Sequence, residues 1–319
     1  MVAPPASLTQ VSHDVRAGLE TSGQKSLPSR LLYDELGSAL FEVISLLPEY
    51  GLTRADERIL SLSSCEIVSL LPRPLRVVEL GSGSARKTRW ILGELAASQA
   101  VPYHPIDVSE AALASSRASL FGMRAISVDA IAGEYLPGLR AAAARRRGPE
   151  RLFVLFLGST IGNFEPRAAE RFLAQVRSVL VPGDALLLGT DLVKPVPRLL
   201  AAYDDALGVT AAFNMNLLAR LNRELGGAFE LSQFEHSARW NESERDIEMH
   251  LVSRREQSVP IRALDLVIHL RAGETIWTES SHKYELDEPL RLGERTGFAR
   301  AGQWLDREWP FAETLLIAR

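Results

Sequence analysis

Residues 76 to 88 read Arg-Val-Val-Glu-Leu-Gly-Ser-Gly-Ser-Ala-Arg-Lys-Thr, and no other stretch restricts the fold as much. The β-branched pair Val77 and Val78 predicts a strand that ends at Glu79 and Leu80. Gly81-Ser82-Gly83 follows at once, and a helical pattern runs through Trp90, Ile91 and Leu92. Strand, glycine turn and helix start in that order bring backbone N–H groups and a surface bare of side chains up to a nucleotide-like ligand. The rhythm continues downstream. Strands are predicted at 76–80, 102–106, 125–129, 152–158 and 185–190, with helix starts at Ser109-Glu110 and Pro166-Arg167. Ala141 to Ala144 reads as helix. Strands alternating with helices imply a parallel sheet with right-handed crossovers.

The glycine turn alone leaves its ligand open, and a turn without any ligand is the plain alternative. A dinucleotide site wants a third glycine three residues on, where the helix packs against a pyrophosphate. That place holds Arg86. Glu79 stands at the strand end, where a carboxylate can meet a cationic amino group. Asp107 closes the next strand, Tyr103-His104-Pro105-Ile106, at roughly the 20-residue distance of a ribose-binding acid. An acid for ribose without a pyrophosphate loop points to S-adenosylmethionine (SAM) rather than NAD.

Outside this region the pattern differs. Residues 11 to 54 are expected to be helical, broken at Leu27-Pro28 and leaving through Leu47-Pro48-Glu49-Tyr50-Gly51, and Asp56 to Leu70 reads as a further helix. Pro195 and Pro197 punctuate the chain. The runs Ala201 to Leu207, Asn214 to Leu225, Glu248 to Ser253 and Leu264 to Leu270 then depart from the βα alternation. Glu313 to Ala318 reads as a last strand. A chain of 319 residues, 46% hydrophobic, exceeds what one nucleotide-binding sheet needs, so a second unit is expected.

Charge and cysteine content narrow the function. A net charge of −4 gives no footprint for nucleic acid. Arg145-Arg146-Arg147 reads as a solvated loop rather than a phosphate patch. Cys65 stands alone, so no disulfide framework or cysteine-based zinc site forms within the chain. The six histidines show no metal-ligand spacing, and no metal is expected. Met1 to Gln10 does not read as a secretory signal, and no run of about 18 apolar residues spans a membrane. The expectation is a cytoplasmic, monomeric protein with a small-molecule substrate.

In an open α/β sheet the ligand binds at the carboxyl ends of the strands. Gly81-Ser82-Gly83 with Lys87, then Asp107, then Phe156 to Phe164 should converge there. Gly158-Ser159-Thr160-Ile161-Gly162 only superficially resembles a nucleophile elbow, since its centre is threonine and no His/Asp partners can be nominated. Asn163 offers both donors and an acceptor to an amino-group substrate, or else caps the helix that starts near Glu165-Pro166. On an extended strand Glu279 and Ser281 share a face, where they can meet the two ring nitrogens of an imidazole, or simply form an exposed strand edge.

Longer strings carry a resemblance. They are Lys25-Ser26-Leu27-Pro28, Leu32-Tyr33-Asp34-Glu35-Leu36-Gly37-Ser38, Leu47-Pro48-Glu49-Tyr50, Val78 to Gly83, Phe156 to Asn163 and Leu188-Gly189-Thr190-Asp191-Leu192-Val193-Lys194. Ala202-Tyr203-Asp204-Asp205, Gly208 to Asn214 and Ile247-Glu248-Met249 complete the set. Over nearly its whole length the chain resembles the SAM-dependent, histidine-specific N-α-methyltransferases of ergothioneine biosynthesis, which trimethylate L-histidine to hercynine.

The resemblance implies an α/β fold. A doubly wound class I SAM-methyltransferase sheet, ending in an antiparallel hairpin, would occupy 55–194 and 283–319. A substrate-binding α+β domain would be formed by 1–54 and the insertion 195–282. It implies that Glu79, Gly81, Gly83, Lys87, Asp107, Glu134 and Tyr135 hold SAM. Asn163 and Tyr203 would hold the substrate carboxylate, and Tyr33, Phe41, Tyr50 and Gly158 would surround the amine, with Tyr50, Tyr33 and Asn163 serving catalysis. Glu279 and Ser281 would grip the imidazole beside Met249. Three positions depart from the family pattern. Gly51 replaces a second tyrosine, Glu134-Tyr135 replaces Asp-Phe at the adenine, and Met215 stands where some relatives carry arginine. Methylation of another amino acid such as tyrosine or tryptophan, incomplete methylation, and a non-catalytic SAM-binding module are the other readings.

Overall fold

The computed structural model describes residues 8–319. The reading of Met1 to Gln10 as no secretory signal therefore falls largely outside the described residues. The chain divides into two units. One comprises Leu52–Val193 and Lys283–Arg319, and the other comprises 8–51 and Lys194–His282.

The first unit is built on a mixed sheet. Its order across the sheet is Phe298–Asp306, Phe311–Ala318, Ala185–Asp191, Arg151–Phe156, Leu75–Leu80, Val101–Asp107, Ile126–Val128, with Ile131–Ala132 also pairing Val101–Asp107. The five strands from Ile126–Val128 to Ala185–Asp191 run parallel, and the expected closing hairpin pairs antiparallel to Ala185–Asp191. Strand order reverses between Leu75–Leu80 and Arg151–Phe156, which makes the ends of these two strands the switch point. Every residue of Leu75–Leu80 is buried, as a central parallel strand covered on both faces requires. Val78 and Leu80 join Phe156 and Leu188 in one apolar cluster, while Leu75 and Val77 join Tyr103, Phe153 and Leu187 in the other.

The expected helix starts hold. The Ser109 side chain accepts from Ala112 N at the start of Glu110–Ser119, and Pro166 opens Pro166–Val179. Two boundaries are corrected. The strand expected at 152–158 stops at Phe156, because Gly158 (φ 70°) and Ser159 (φ 57°) turn the chain into the left-handed region. The helix expected from Asp56 begins at Leu52, since Leu52 and Ala55 extend its buried face by a turn.

The second unit carries a four-stranded sheet ordered Lys25–Ser26, Thr275–His282, Asp246–Ser253, Phe234–Asn241, and a separate hairpin of Gln257–Ile261 with Leu266–Leu270. The helix Val209–Leu225 lies against this sheet and against Glu35–Ile44. The segment 11–54 is less helical than expected. Helices Leu8–Leu19 and Glu35–Ile44 are separated by Lys25–Ser26, which adds a parallel edge strand beside Ile276 and Trp277. Among the described residues no helix is long and apolar enough to cross a membrane.

Candidate functional site

In the first unit the switch-point loops form a cradle. Gly81 has φ 73°, and a Cβ there would press on the Tyr135 hydroxyl at 3.2 Å, whereas a Cβ on Gly83 would meet nothing within 4 Å. Asp107 holds the loop from the neighbouring strand: Oδ2 accepts from Gly83 N at 3.1 Å and Oδ1 from Ser109 N at 2.9 Å. Burial pushes the Asp107 carboxyl up, and these backbone donors partly offset that. The half-buried Tyr135 packs edge-on against Phe156 and Phe172, and burial keeps its hydroxyl protonated. Glu134 stands exposed just before the helix Tyr135–Ala143. A bare glycine surface, an acid at the second strand end and an aromatic wall fit the adenosine part of SAM. Among the described residues no His, Cys, Asp and Glu side chains are grouped so as to hold a metal ion.

Glu79 is 1% exposed, and its oxygens accept from the Thr88 hydroxyl at 2.7 Å and from the Tyr103 hydroxyl. A carboxylate so placed braces the glycine turn from within, tying strand end to helix start. Burial pushes it up to about 7, against the pull of the two hydroxyls and Lys87. The folded protein therefore holds a proton on Glu79 between the ordinary value of 4.5 and about 7, where the unfolded chain has lost it. Stability falls as pH rises through that window, by about 3 kcal/mol for this group. Glu79→Gln should remove that fall, which urea unfolding at about pH 5 and about pH 8 would measure. An unchanged pH slope would refute the assignment.

Asn163 lies in the 3-10 turn Thr160–Asn163, while Glu165 occupies the cap position of the following helix. The capping role open to Asn163 from sequence is thus not the one it has. The turn is pinned, with Gly162 N bonding Ser159 O at 2.8 Å and Ser159 Oγ accepting from Asp191 N at 2.9 Å.

The second unit brings together most of the expected acceptor-side residues. Rings of Tyr33, Phe41, Tyr50 and Tyr203 follow one another edge-to-face at centroid distances of 5.6, 6.2 and 6.0 Å. The Tyr33 hydroxyl is 3.5 Å from Glu279 Oε1, and the Tyr203 hydroxyl donates to Ser281 Oγ at 2.7 Å. Met249 lies directly opposite Glu279 on the neighbouring strand. A register shift between Trp277 and Glu279 sets this pairing, so Thr278 is the extra residue of a bulge. Bulges re-aim the side chains around them, and here Thr278 turns inward, its hydroxyl donating to Asn214 Oδ1 at 2.7 Å with Met249 O the alternative acceptor at 3.0 Å. Glu279 and Ser281, both buried, then belong to a polar patch walled by aromatic rings.

Local chemistry explains Tyr33 and Phe41. Asp34 caps Glu35–Ile44 by accepting from Gly37 N at 2.7 Å, and also accepts from Asn216 at 2.7 Å and Arg223 at 2.6 Å. A Cβ at Gly37 would lie 1.7 Å from Leu32 O, so only glycine permits this entry.

Three residues escaped the sequence reading. Phe213 touches both Tyr33 and Phe41, at 5.5 and 6.0 Å between centroids. Asn214 Nδ2 donates to His236 Nδ1 at 2.9 Å, and His236 Nε2 then donates to Tyr203 O at 2.8 Å. Burial depresses His236, keeping the neutral ring that this chain of bonds requires. Phe213 and Asn214 sat within a family string, which was the available signal; nothing local marked His236.

The model of SAM-dependent, histidine-specific methyltransferases matches residues 11–318. A histidine N-alpha-methyltransferase of Mycolicibacterium smegmatis is 41% identical over 99% of this chain and 97% of its own length. That of Mycobacterium tuberculosis is 42% identical over 95% and 93%. Ergothioneine biosynthesis protein 1 of Neurospora crassa is 32% identical over 88% of this chain, which spans 32% of that longer protein.

Proposed function

We propose that this chain, which belongs to the histidine-specific, SAM-dependent methyltransferase family, carries three methyl groups in turn to the α-amine of L-histidine. The product is hercynine, and the reaction is the first step of ergothioneine biosynthesis. The observation that carries this reading is the buried pair Glu279 and Ser281 beside Met249, within reach of Tyr33 and Tyr203. Such a pair suits a ring with two nitrogens, one bonding a carboxylate and the other a hydroxyl.

SAM supplies the electrophilic methyl on its sulfonium. Gly81, Gly83, Lys87, Asp107, Glu134 and Tyr135 hold it, with Glu79 bracing the loop. Asn163 and Tyr203 hold the substrate carboxylate, and Gly158 and Phe41 help to enclose the amine. The residues that hold SAM all belong to the unit 52–193 with 283–319, whereas Tyr33, Phe41, Tyr50, Tyr203, Glu279 and Ser281 belong to the unit 8–51 with 194–282. Orientation of this kind is worth on the order of 7–11 kcal/mol to a bimolecular transfer. An ammonium has no lone pair, so a proton must leave before each methylation. Tyr50 or Tyr33, through a water molecule, relays it. The rings of Tyr33, Phe41, Tyr50 and Phe213 suit the growing quaternary ammonium, which an aromatic wall stabilises without a hydrogen bond.

The decisive test offers the protein SAM with each amino acid in turn and reads the products by mass spectrometry. A gain of three methyls on histidine alone is the expected result. Methyl gain on tyrosine or tryptophan, or a product that stops at one or two methyls, would replace this reading. SAM binding without turnover on any amine would reduce the protein to a binding module.

A further inference from the structure

Behind the Lys87 ammonium lie three carboxylates, Asp56, Glu79 and Glu313, at 0%, 1% and 0% exposure. Glu79 has its donors in Thr88 and Tyr103. Asp56 Oδ2 also has two, Lys87 Nζ and Gly158 N, the latter at 2.9 Å. The remaining oxygens, Asp56 Oδ1 and both of Glu313, are buried without a donor.

Glu313 stands on the antiparallel strand Phe311–Ala318, in register with Gly189 of Ala185–Asp191. A Cβ on Gly189 would lie 2.6 Å from Glu313 Oε1 and 3.1 Å from Gly158 N. Only a residue without a side chain lets the Glu313 carboxyl reach the loop that Asp56 holds. Three ionised carboxylates around one ammonium would leave excess negative charge in a dry interior, at a heavy desolvation cost. One proton on Glu313 removes one of the two excess charges and supplies the missing donor, and the proton Glu79 holds up to about 7 relieves the other below that pH.

We propose that Glu313 is held protonated and donates to Asp56 Oδ1, so that Asp56 carries the one negative charge that positions Lys87 and the Gly158 amide. Asp56 and Glu313 are thereby positioning residues for SAM binding, acting through Lys87; this rests on the reading that Lys87 holds SAM. Burial and the neighbouring Asp56 push the Glu313 carboxyl far up, while Lys87, despite burial, is raised by Asp56 and stays an ammonium. The last strand thus does more than close the sheet.

The test compares amide variants of the full chain by calorimetric SAM binding. In Glu313→Gln the amide N–H replaces the acid proton, so the SAM Kd should stay within about threefold and the melting temperature should hold. Asp56→Asn removes the charged acceptor of Lys87, and the SAM Kd should rise by roughly tenfold or more. Equal damage from both variants, or an unchanged Kd in Asp56→Asn, would overturn the proposal. An infrared spectrum gives a reading that does not depend on the Asp56 variant folding. The wild-type protein at about pH 9, above the range in which Glu79 holds its proton, should show a buried carboxylic-acid C=O band that Glu313→Gln loses, and its absence from wild type would overturn the shared proton. Lys87→Ala separates the two failures. An unchanged SAM Kd there would remove Lys87 from the SAM site, and with it the positioning role, while the infrared band reports on the proton alone.

Discussion

Glu279→Ala should raise the KM for histidine by on the order of 10- to 100-fold while the SAM Kd stays where it was. Glu279 is buried on the strand Thr275–His282, directly opposite Met249 and 3.5 Å from the Tyr33 hydroxyl. A carboxylate accepts strongly from a ring N–H. A charge-assisted bond of this kind contributes about 1.5–3 kcal/mol. The residues proposed to hold SAM belong to the other unit, so SAM affinity is the internal control. Steady-state kinetics with histidine and calorimetry with SAM make the comparison. An unchanged histidine KM would remove the imidazole from Glu279.

Asn163→Ala should lower kcat/KM for histidine by on the order of 100-fold or more, with both kcat and KM affected. The same change should cost under about 1 kcal/mol of stability, because the helix cap is Glu165 and not Asn163. The 3-10 turn that carries Asn163 is fixed at its start by the left-handed Gly158 and Ser159 and by the Ser159 Oγ bond to Asp191 N, and is closed at its end by Phe164 N on Ile161 O at 3.2 Å. A side chain on so rigid a turn can orient a carboxylate or an amine precisely, and orientation is what an unassisted methyl transfer needs. Denaturant unfolding alongside the kinetics separates the two roles. Lost stability with kcat/KM intact would make Asn163 a structural residue.

The sequence by itself determined the first unit in outline. Valine runs, the Gly81-Ser82-Gly83 turn, the Ser109 cap and the Pro166 helix start are local signals, decided by torsional preference and by hydrogen bonds that span a few residues. Parallel strands joined by helices then admit few topologies, and the place where strand order reverses follows. The site was legible where the family strings quoted its residues, and illegible where a role depends on surroundings. Tyr33 and Glu279 meet across 246 positions of chain, and only the folded sheet and helices bring them together. The bulge at Thr278 depends on Asn214, whose hold on the Thr278 hydroxyl no strand pattern encodes. Glu79 looked from its place at a strand end like a ligand contact, yet its two oxygens meet Thr88 and Tyr103. Nothing in Glu313-Thr314-Leu315 foretells an acid facing Asp56 over a bare Gly189. Backbone geometry follows from neighbours in sequence, whereas the charge and purpose of a carboxyl follow from the donors and the dryness around it, and those are properties of the tertiary structure alone.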